Sequence, residues 1–209
     1  MLIRPVGEAA LLIEFGDTIS AEMHQQVVAL DAALTVQPAP WLIETVPAYA
    51  SLLVCFDPLR TEPAEVENHV RSLAVSAFAL SGAEHVVAVR YDGPDLEEAA
   101  GRLRLNPAEL AELHLRADYR VYMYGFAPGY AYLGGVPGAL RLPRKEAPVR
   151  GHPPGSVMIA GGQCLITTLP MPTGWWVIGH TDFRVLDPDA GQPFRFAPGD
   201  RVRFVRDDA

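Results

Sequence analysis

Two hydrophobic rhythms divide the chain. In the first eighty residues, short apolar runs at 2–6 and 10–15 flank Gly7-Glu8, a tight-turn pair, and read as paired strands. Asp17 or Thr18 is positioned to cap a helix reaching about Leu34. Apolar residues at Ile19, Met23, Val27 and Leu30 keep the three-to-four spacing of a buried helical face. Pro38 and Pro40 stop that helix, and β-like runs follow at 41–46 and 51–56 around Pro47-Ala48. Thr61 then opens a capped segment with Pro63 in its first turn, carried by Val66, Val70 and Leu73 to about Leu80. The order β-β-α-β-β-α predicts a small α/β sandwich with both helices on one face of one sheet.

Ser81-Gly82-Ala83 marks a change of pattern, so the expected domains are 1–82 and 83–209. Residues 85–91 alternate as a strand. Residues 95–104 and 107–115 form two short helices, the second with Asn106 as cap and Pro107 at its first position. From Tyr119 onward the pattern is β, at 120–124, 156–160, 164–169, 175–179, 183–186 and 201–205. Many short strands between Gly/Pro turns predict an antiparallel barrel. The predicted class is α+β, a small α/β sandwich followed by a barrel.

Turn residues sharpen this picture. Of 18 glycines and 19 prolines, 10 and 8 respectively fall within residues 121–174, without a collagen period or low-complexity repeat. The same part of the chain is cationic: residues 121–181 hold Arg141, Arg144, Lys145 and Arg150 against Glu146 alone, in a protein of net charge −8. An acidic protein is a poor nucleic-acid binder, whereas a cationic, turn-rich patch suits a small carboxylate or other anion. Residues 151–181 lack Asp, Glu, Lys and Arg, but Pro153, Pro154, Pro170 and Pro172 exclude a membrane helix there. Cys55 and Cys164 sit far apart in apolar runs, as reduced thiols of a cytoplasmic protein do, and no secretory signal is visible at the N-terminus.

The common catalytic signatures are missing: no phosphate loop, dinucleotide fingerprint, serine elbow, His-Glu-x-x-His or Cys-x-x-Cys occurs, so no metal site is expected. What stands out is residues 124–135, where aromatics including Tyr130 and Tyr132 alternate with Gly and Pro. Such glycines expose backbone N–H groups, and such aromatics either wall a ligand or pack a core. Arg144 and Arg150 can fork onto a carboxylate. Ser156 and Gln163 add a hydroxyl and an amide beside glycine turns, and His180 after Trp175-Trp176 is a candidate base.

These residues carry a resemblance. Residues 125–135, Leu142-Pro143-Arg144, Pro153-Pro154-Gly155-Ser156-Val157, Ile159-Ala160-Gly161-Gly162-Gln163 and Gly174-Trp175 through Thr181 resemble the allophanate hydrolase subunit 1 / KipI family. The likeness also takes in Asp92-Gly93-Pro94-Asp95-Leu96 and His114. It implies an N-terminal α/β domain, a C-terminal cyclophilin-like β-barrel, and a heteromeric complex with a subunit-2 (C) partner. The implied activity is amide or lactam hydrolysis of the 5-oxoprolinase or carboxyltransferase type. ATP would be used by the complex, and no cofactor bound by this chain alone. His114, Ser156 and His180 become the expected catalytic residues. Tyr130, Tyr132, Arg144, Arg150 and Gln163 become the expected substrate contacts. The family pattern Pro-Arg-x-x-Val-Pro is here Pro148-Val149-Arg150-Gly151-His152-Pro153, and Gly-Arg-Thr is Gly179-His180-Thr181. The alternatives are a regulatory protein that inhibits a sensor histidine kinase and a subunit that only scaffolds its partner.

Overall fold

The computed structural model describes residues 1–73 and 82–207. The chain divides into two units, residues 1–81 and 82–209.

The first unit is a four-stranded antiparallel sheet, order β1-β2-β4-β3, built from β1 (Leu2–Pro5), β2 (Ala10–Glu14), β3 (Leu42–Pro47) and β4 (Ser51–Phe56). Alternation drives one face inward: Leu11 and Ile13 of β2 and Leu52, Val54 and Phe56 of β4 are buried. Against that face lie α1 (Ala21–Val36), through Val27, Leu30 and Leu34, and α2 (Pro63–Ser72), through Val66 and Val70. Each such side chain contributes roughly 1.5–3 kcal/mol by leaving water. Two details differ from expectation. Helix α1 is capped by Ser20, whose hydroxyl accepts the Met23 N–H at 3.2 Å, so Ile19 precedes the helix and is exposed. Helix α2 is preceded by Glu62, and Thr61 instead donates its hydroxyl to Glu65. The expected extension of α2 to Leu80 lies outside the described residues.

The second unit is a seven-stranded sheet, order β10-β8-β9-β7-β6-β11-β5. Its strands are β5 (Glu84–Val89), β6 (Tyr119–Tyr124), β7 (Ala131–Gly134), β8 (Ser156–Ala160), β9 (Gln163–Ile166), β10 (Trp176–His180) and β11 (Arg201–Arg206). All pairings are antiparallel except β11 with β5, which makes the expected antiparallel barrel a mixed one. The sheet nearly closes on itself just past β5, where Arg90 and His180 exchange two backbone hydrogen bonds of 2.9 Å. Residues 183–186, expected as a strand, make only the isolated bridge Leu186–Phe194.

Helices α3 (Leu96–Leu103) and α4 (Pro107–Leu115) pack into the same core as the strands, through Leu96, Ala99, Ala100 and Leu110. Asn106 caps α4 as expected, with Glu109 completing a reciprocal capping box. Strands β8–β10 are buried on both faces. Val157, Ile159, Cys164 and Ile178 face the main core, while Met158, Leu165, Trp175 and Val177 form a second cluster with Tyr130. That double burial explains why these segments read as continuous apolar runs.

Candidate functional site

Strand β10 carries the chemistry. The chain leaving β5 folds back along β10, with Gly93 N–H donating to Ile178 O at 3.3 Å and Asp95 N–H to Val177 O at 3.1 Å. Only glycine permits this approach: a Cβ at Gly93 would stand 2.3 Å from the Val177 carbonyl oxygen. Two carboxylates are thereby delivered to β10. Asp92 Oδ1 lies 2.7 Å from His180 Nδ1. Asp95 Oδ2 accepts the Val177 N–H at 2.8 Å and pairs with Lys145 Nζ at 2.6 Å.

The segment bearing Arg144 and Lys145 is held on the two tryptophans. Trp176 Nε1–H donates to Pro143 O at 2.8 Å, and Lys145 N–H to Gly174 O at 2.7 Å. Arg144 lies over the Trp175 ring at 5.5 Å and Lys145 over Trp176 at 5.2 Å. Val149 and Thr173 exchange backbone hydrogen bonds further along. His152, buried in the same stretch, has its pKa lowered by burial. Lys145 and His180 add to that effect and Asp95 opposes it. Chemically, a carboxylate on Nδ1 orients the His180 ring and leaves Nε2 for a proton, the geometry of a general base. Among the described residues, no group of three or more His, Cys, Asp or Glu could hold a metal ion.

The expected site residues divide. His180 is paired with Asp92 at one end of β10, whereas Arg144, over Trp175, lies toward the other end, five residues of extended chain or roughly 16 Å away. Arg150 is exposed. Tyr132, half-buried, meets Trp175 at 6.0 Å between ring centroids, while Tyr130 is buried with its hydroxyl toward Leu169 O at 3.5 Å. Gln163 starts β9 opposite Ala160, whereas His180 is opposite Ser156. The length of β8, about 13 Å at ~3.3 Å per residue, thus separates Gln163 from His180.

Ser156 and His114 occupy positions unlike those of catalytic groups. Ser156 is buried, donates its hydroxyl to Pro153 O at 2.8 Å and its backbone N–H to the Thr167 hydroxyl oxygen at 2.9 Å. It staples a turn. His114 is fully buried between Tyr119 and Phe204, with Nδ1 2.8 Å from the Tyr91 hydroxyl and Nε2 3.6 Å from Cys164 Sγ. Burial lowers its pKa to about 3. It is neutral in the folded state, whereas the unfolded chain takes up a proton near the ordinary histidine value of 6.5. Stability is therefore present above that pH and is lost as pH falls toward the folded value, by up to ~1.4 kcal/mol per pH unit. Urea unfolding between about pH 6.5 and pH 5 is expected to show a shallower dependence of stability on pH for His114→Leu than for the wild type. Identical dependences would exclude this role.

A groove of about 610 Å³ opens where β8, β9 and β10 end on one side, lined by Gly155, Thr167, Thr168, Thr181, Asp182 and Arg184 among others. Gly155 (φ +84°) brings its backbone so close that a Cβ would lie 2.4 Å from Thr181 O. The groove therefore adjoins both Ser156 and His180 along the chain. Sequence reasoning missed Asp92 as the partner of His180 and Asp95 as the partner of Lys145 along β10. The available signal was a glycine between two aspartates, in Asp92-Gly93-Pro94-Asp95, which marks a close backbone approach.

Residues 1–196 match the family described as carboxyltransferase domain, subdomain C and D. The 5-oxoprolinase B subunit of Bacillus subtilis (strain 168) is 34% identical over 98% of this chain and 92% of its own length. That of Haemophilus influenzae is 31% identical, over 98% and 97%. Among solved structures, TTHA0988 superposes with a TM-score of 0.88 at 37% identity, covering 100% of this chain; the chain spans 41% of that longer one. The urea amidolyase of K. lactis shares the fold, with a TM-score of 0.73 at 13% identity over 98% of this chain and 14% of its own.

Proposed function

We propose that this chain, which belongs to the carboxyltransferase domain, subdomain C and D family, is the B-type subunit of a 5-oxoprolinase-like, ATP-using enzyme. The observation that carries the reading is similarity over nearly the whole length to relatives named as B subunits of 5-oxoprolinase. Those relatives are named as one subunit of several, which supports a multi-subunit complex for this chain. TTHA0988, in which a unit like this one occupies 41% of the chain, has room for a partner in the same polypeptide. The free Cys55 and Cys164 suit the cytoplasm.

Opening a lactam requires attack of water at its carbonyl carbon: a base takes the water proton as the C–O bond forms and returns a proton to the ring nitrogen as the C–N bond breaks, leaving a carboxylate and an amine. His180, held by Asp92, is the base in this chain. Arg144, and Arg150 on the exposed loop, are the cations for a substrate carboxylate. A subunit-2 (C) partner completes the site. ATP supplies the driving force in the complex.

Co-expression with the A- and C-type subunits tests the proposal. ATP hydrolysis by the purified complex is expected to rise with added 5-oxoproline and to yield glutamate, while this chain alone is inactive. A stable three-component complex whose ATP hydrolysis ignores 5-oxoproline would rule this substrate out. If the chain instead captured a sensor histidine kinase and blocked its autophosphorylation, the regulatory reading would replace it.

A further inference from the structure

The groove of about 610 Å³ beside Gly155 and Thr181 falls in the size range of small-molecule sites. Its walls are held in place. Thr181 N–H donates to Gly155 O at 2.9 Å, and Gly155 N–H to Thr167 O at 2.7 Å. Thr168, next in the chain, donates its hydroxyl to Pro128 O at 2.6 Å. A Cβ at Gly129 would stand 2.7 Å from Leu186 Cβ and 2.8 Å from Thr168 Cγ2, so that wall has no slack either.

Two of the lining side chains are charged, Asp182 and Arg184. Asp182 is already engaged. Arg90 donates to its Oδ1 at 3.2 Å and to its Oδ2 at 3.1 Å, and that guanidinium holds the Asp182 carboxyl below the usual carboxylate range. Arg184 is exposed, and its guanidinium makes no ion pair or hydrogen bond among the described residues. The threonine hydroxyls divide in the same way. Thr167 and Thr168 direct their protons to Pro153 O and Pro128 O. Thr181 receives the Phe183 N–H on its oxygen at 3.1 Å, which leaves its proton for a ligand. The lining side chains still open to a ligand are therefore donors, a guanidinium fork and a hydroxyl. Such a set selects an anion, and the planar fork matches a carboxylate. Phe183 and Leu186 give the same groove an apolar side for methylene groups.

We propose that this groove binds a small carboxylate, with the Arg184 guanidinium as its specificity-determining contact and the Thr181 hydroxyl as a second donor. The lactam 5-oxoproline carries such a carboxylate. The proposal thus rests on the 5-oxoprolinase-type reading above and adds to its cations one that fronts a cavity.

The test uses two readouts. In the reconstituted complex, Arg184→Met is expected to raise KM for 5-oxoproline about tenfold or more, with kcat little changed, as loss of a charge-assisted contact made equally in ground and transition states does. Arg184 is exposed, so the variant is expected to fold with an unchanged Tm. Arg184→Lys keeps the charge without the fork and is expected to recover part of the affinity. Separately, ¹H–¹⁵N spectra of the full chain should show the Arg184 Nε–H signal moving with 5-oxoproline and not with 2-pyrrolidone, which lacks the carboxylate. If the wild-type complex consumes 5-oxoproline and Arg184→Met leaves KM unchanged, the Arg184 contact is wrong and the enzyme reading stands. If the wild type ignores 5-oxoproline, the enzyme reading fails, and the spectra decide on the groove alone. A shift with 5-oxoproline and not with 2-pyrrolidone then upholds a carboxylate site. A still signal, or one moved by inorganic phosphate only, overturns it.

Discussion

Gly93→Ala is expected to destabilise the second unit by about 3 kcal/mol or more, lowering Tm by roughly 10 °C, and to abolish activity of the complex. The added Cβ would meet Val177 O at 2.3 Å, the Ile178 carbonyl carbon at 2.4 Å and Gly179 N at 2.5 Å. All three are backbone atoms of β10, and β10 is fixed by its pairing with β8, so the loop must lift instead. Lifting it withdraws Asp92 from His180 and Asp95 from both Lys145 and the Val177 N–H. Lys145 would then be left nearly buried without its counter-charge, which is costly in itself. Gly101→Ala in α3 is the matched control: nothing lies within 4 Å of its Cβ position, and alanine there is expected to stabilise by up to ~1 kcal/mol. Thermal melts of the two variants should move in opposite directions. If both move alike, the Gly93 contact does not hold the loop.

His180→Ala, in the reconstituted complex, is expected to lower kcat by ~10²–10⁴-fold, the usual contribution of a positioned general base. Its effect on stability should be small, because His180 joins the barrel edges through its backbone N–H and C=O, which alanine retains. That separation makes the variant informative. Asp92→Asn keeps the shape but not the charge that orients the ring, and is expected to cost kcat at least about tenfold. Wild-type kcat in His180→Ala, with Tm unchanged, would remove the base from this chain and leave it to the partner.

Much of the architecture was legible in local patterns. The 3–4 spacing of Val27 and Leu30 placed one helical face of the first unit's core correctly. Asn106-Pro107 marked a helix start, to which the structure adds Glu109 in a capping box. Errors came where two local signals competed. Asp17 or Thr18 was expected to cap α1, but Ser20 caps it and leaves Ile19 outside. Residues 183–186 have strand-like composition, but Phe183 stacks on Phe196 and the segment lines the groove instead of joining the sheet.

The candidate site was legible only in parts. His180 and Arg144 were singled out by residue type and by their neighbours in sequence. His114 and Ser156 were singled out in the same way, and their side chains are spent on packing and on a turn. By itself, the sequence determined most of the elements and the turn-rich cationic stretch, because periodicity, caps and Gly/Pro turns act over a few residues. Only the tertiary structure decided which polar groups meet. Asp92 and Asp95 reach His180 and Lys145 across some fifty to ninety positions of chain because a glycine lets one backbone lie against another. His152 is turned inward by a loop anchored at both ends, a placement its own neighbours in sequence do not encode.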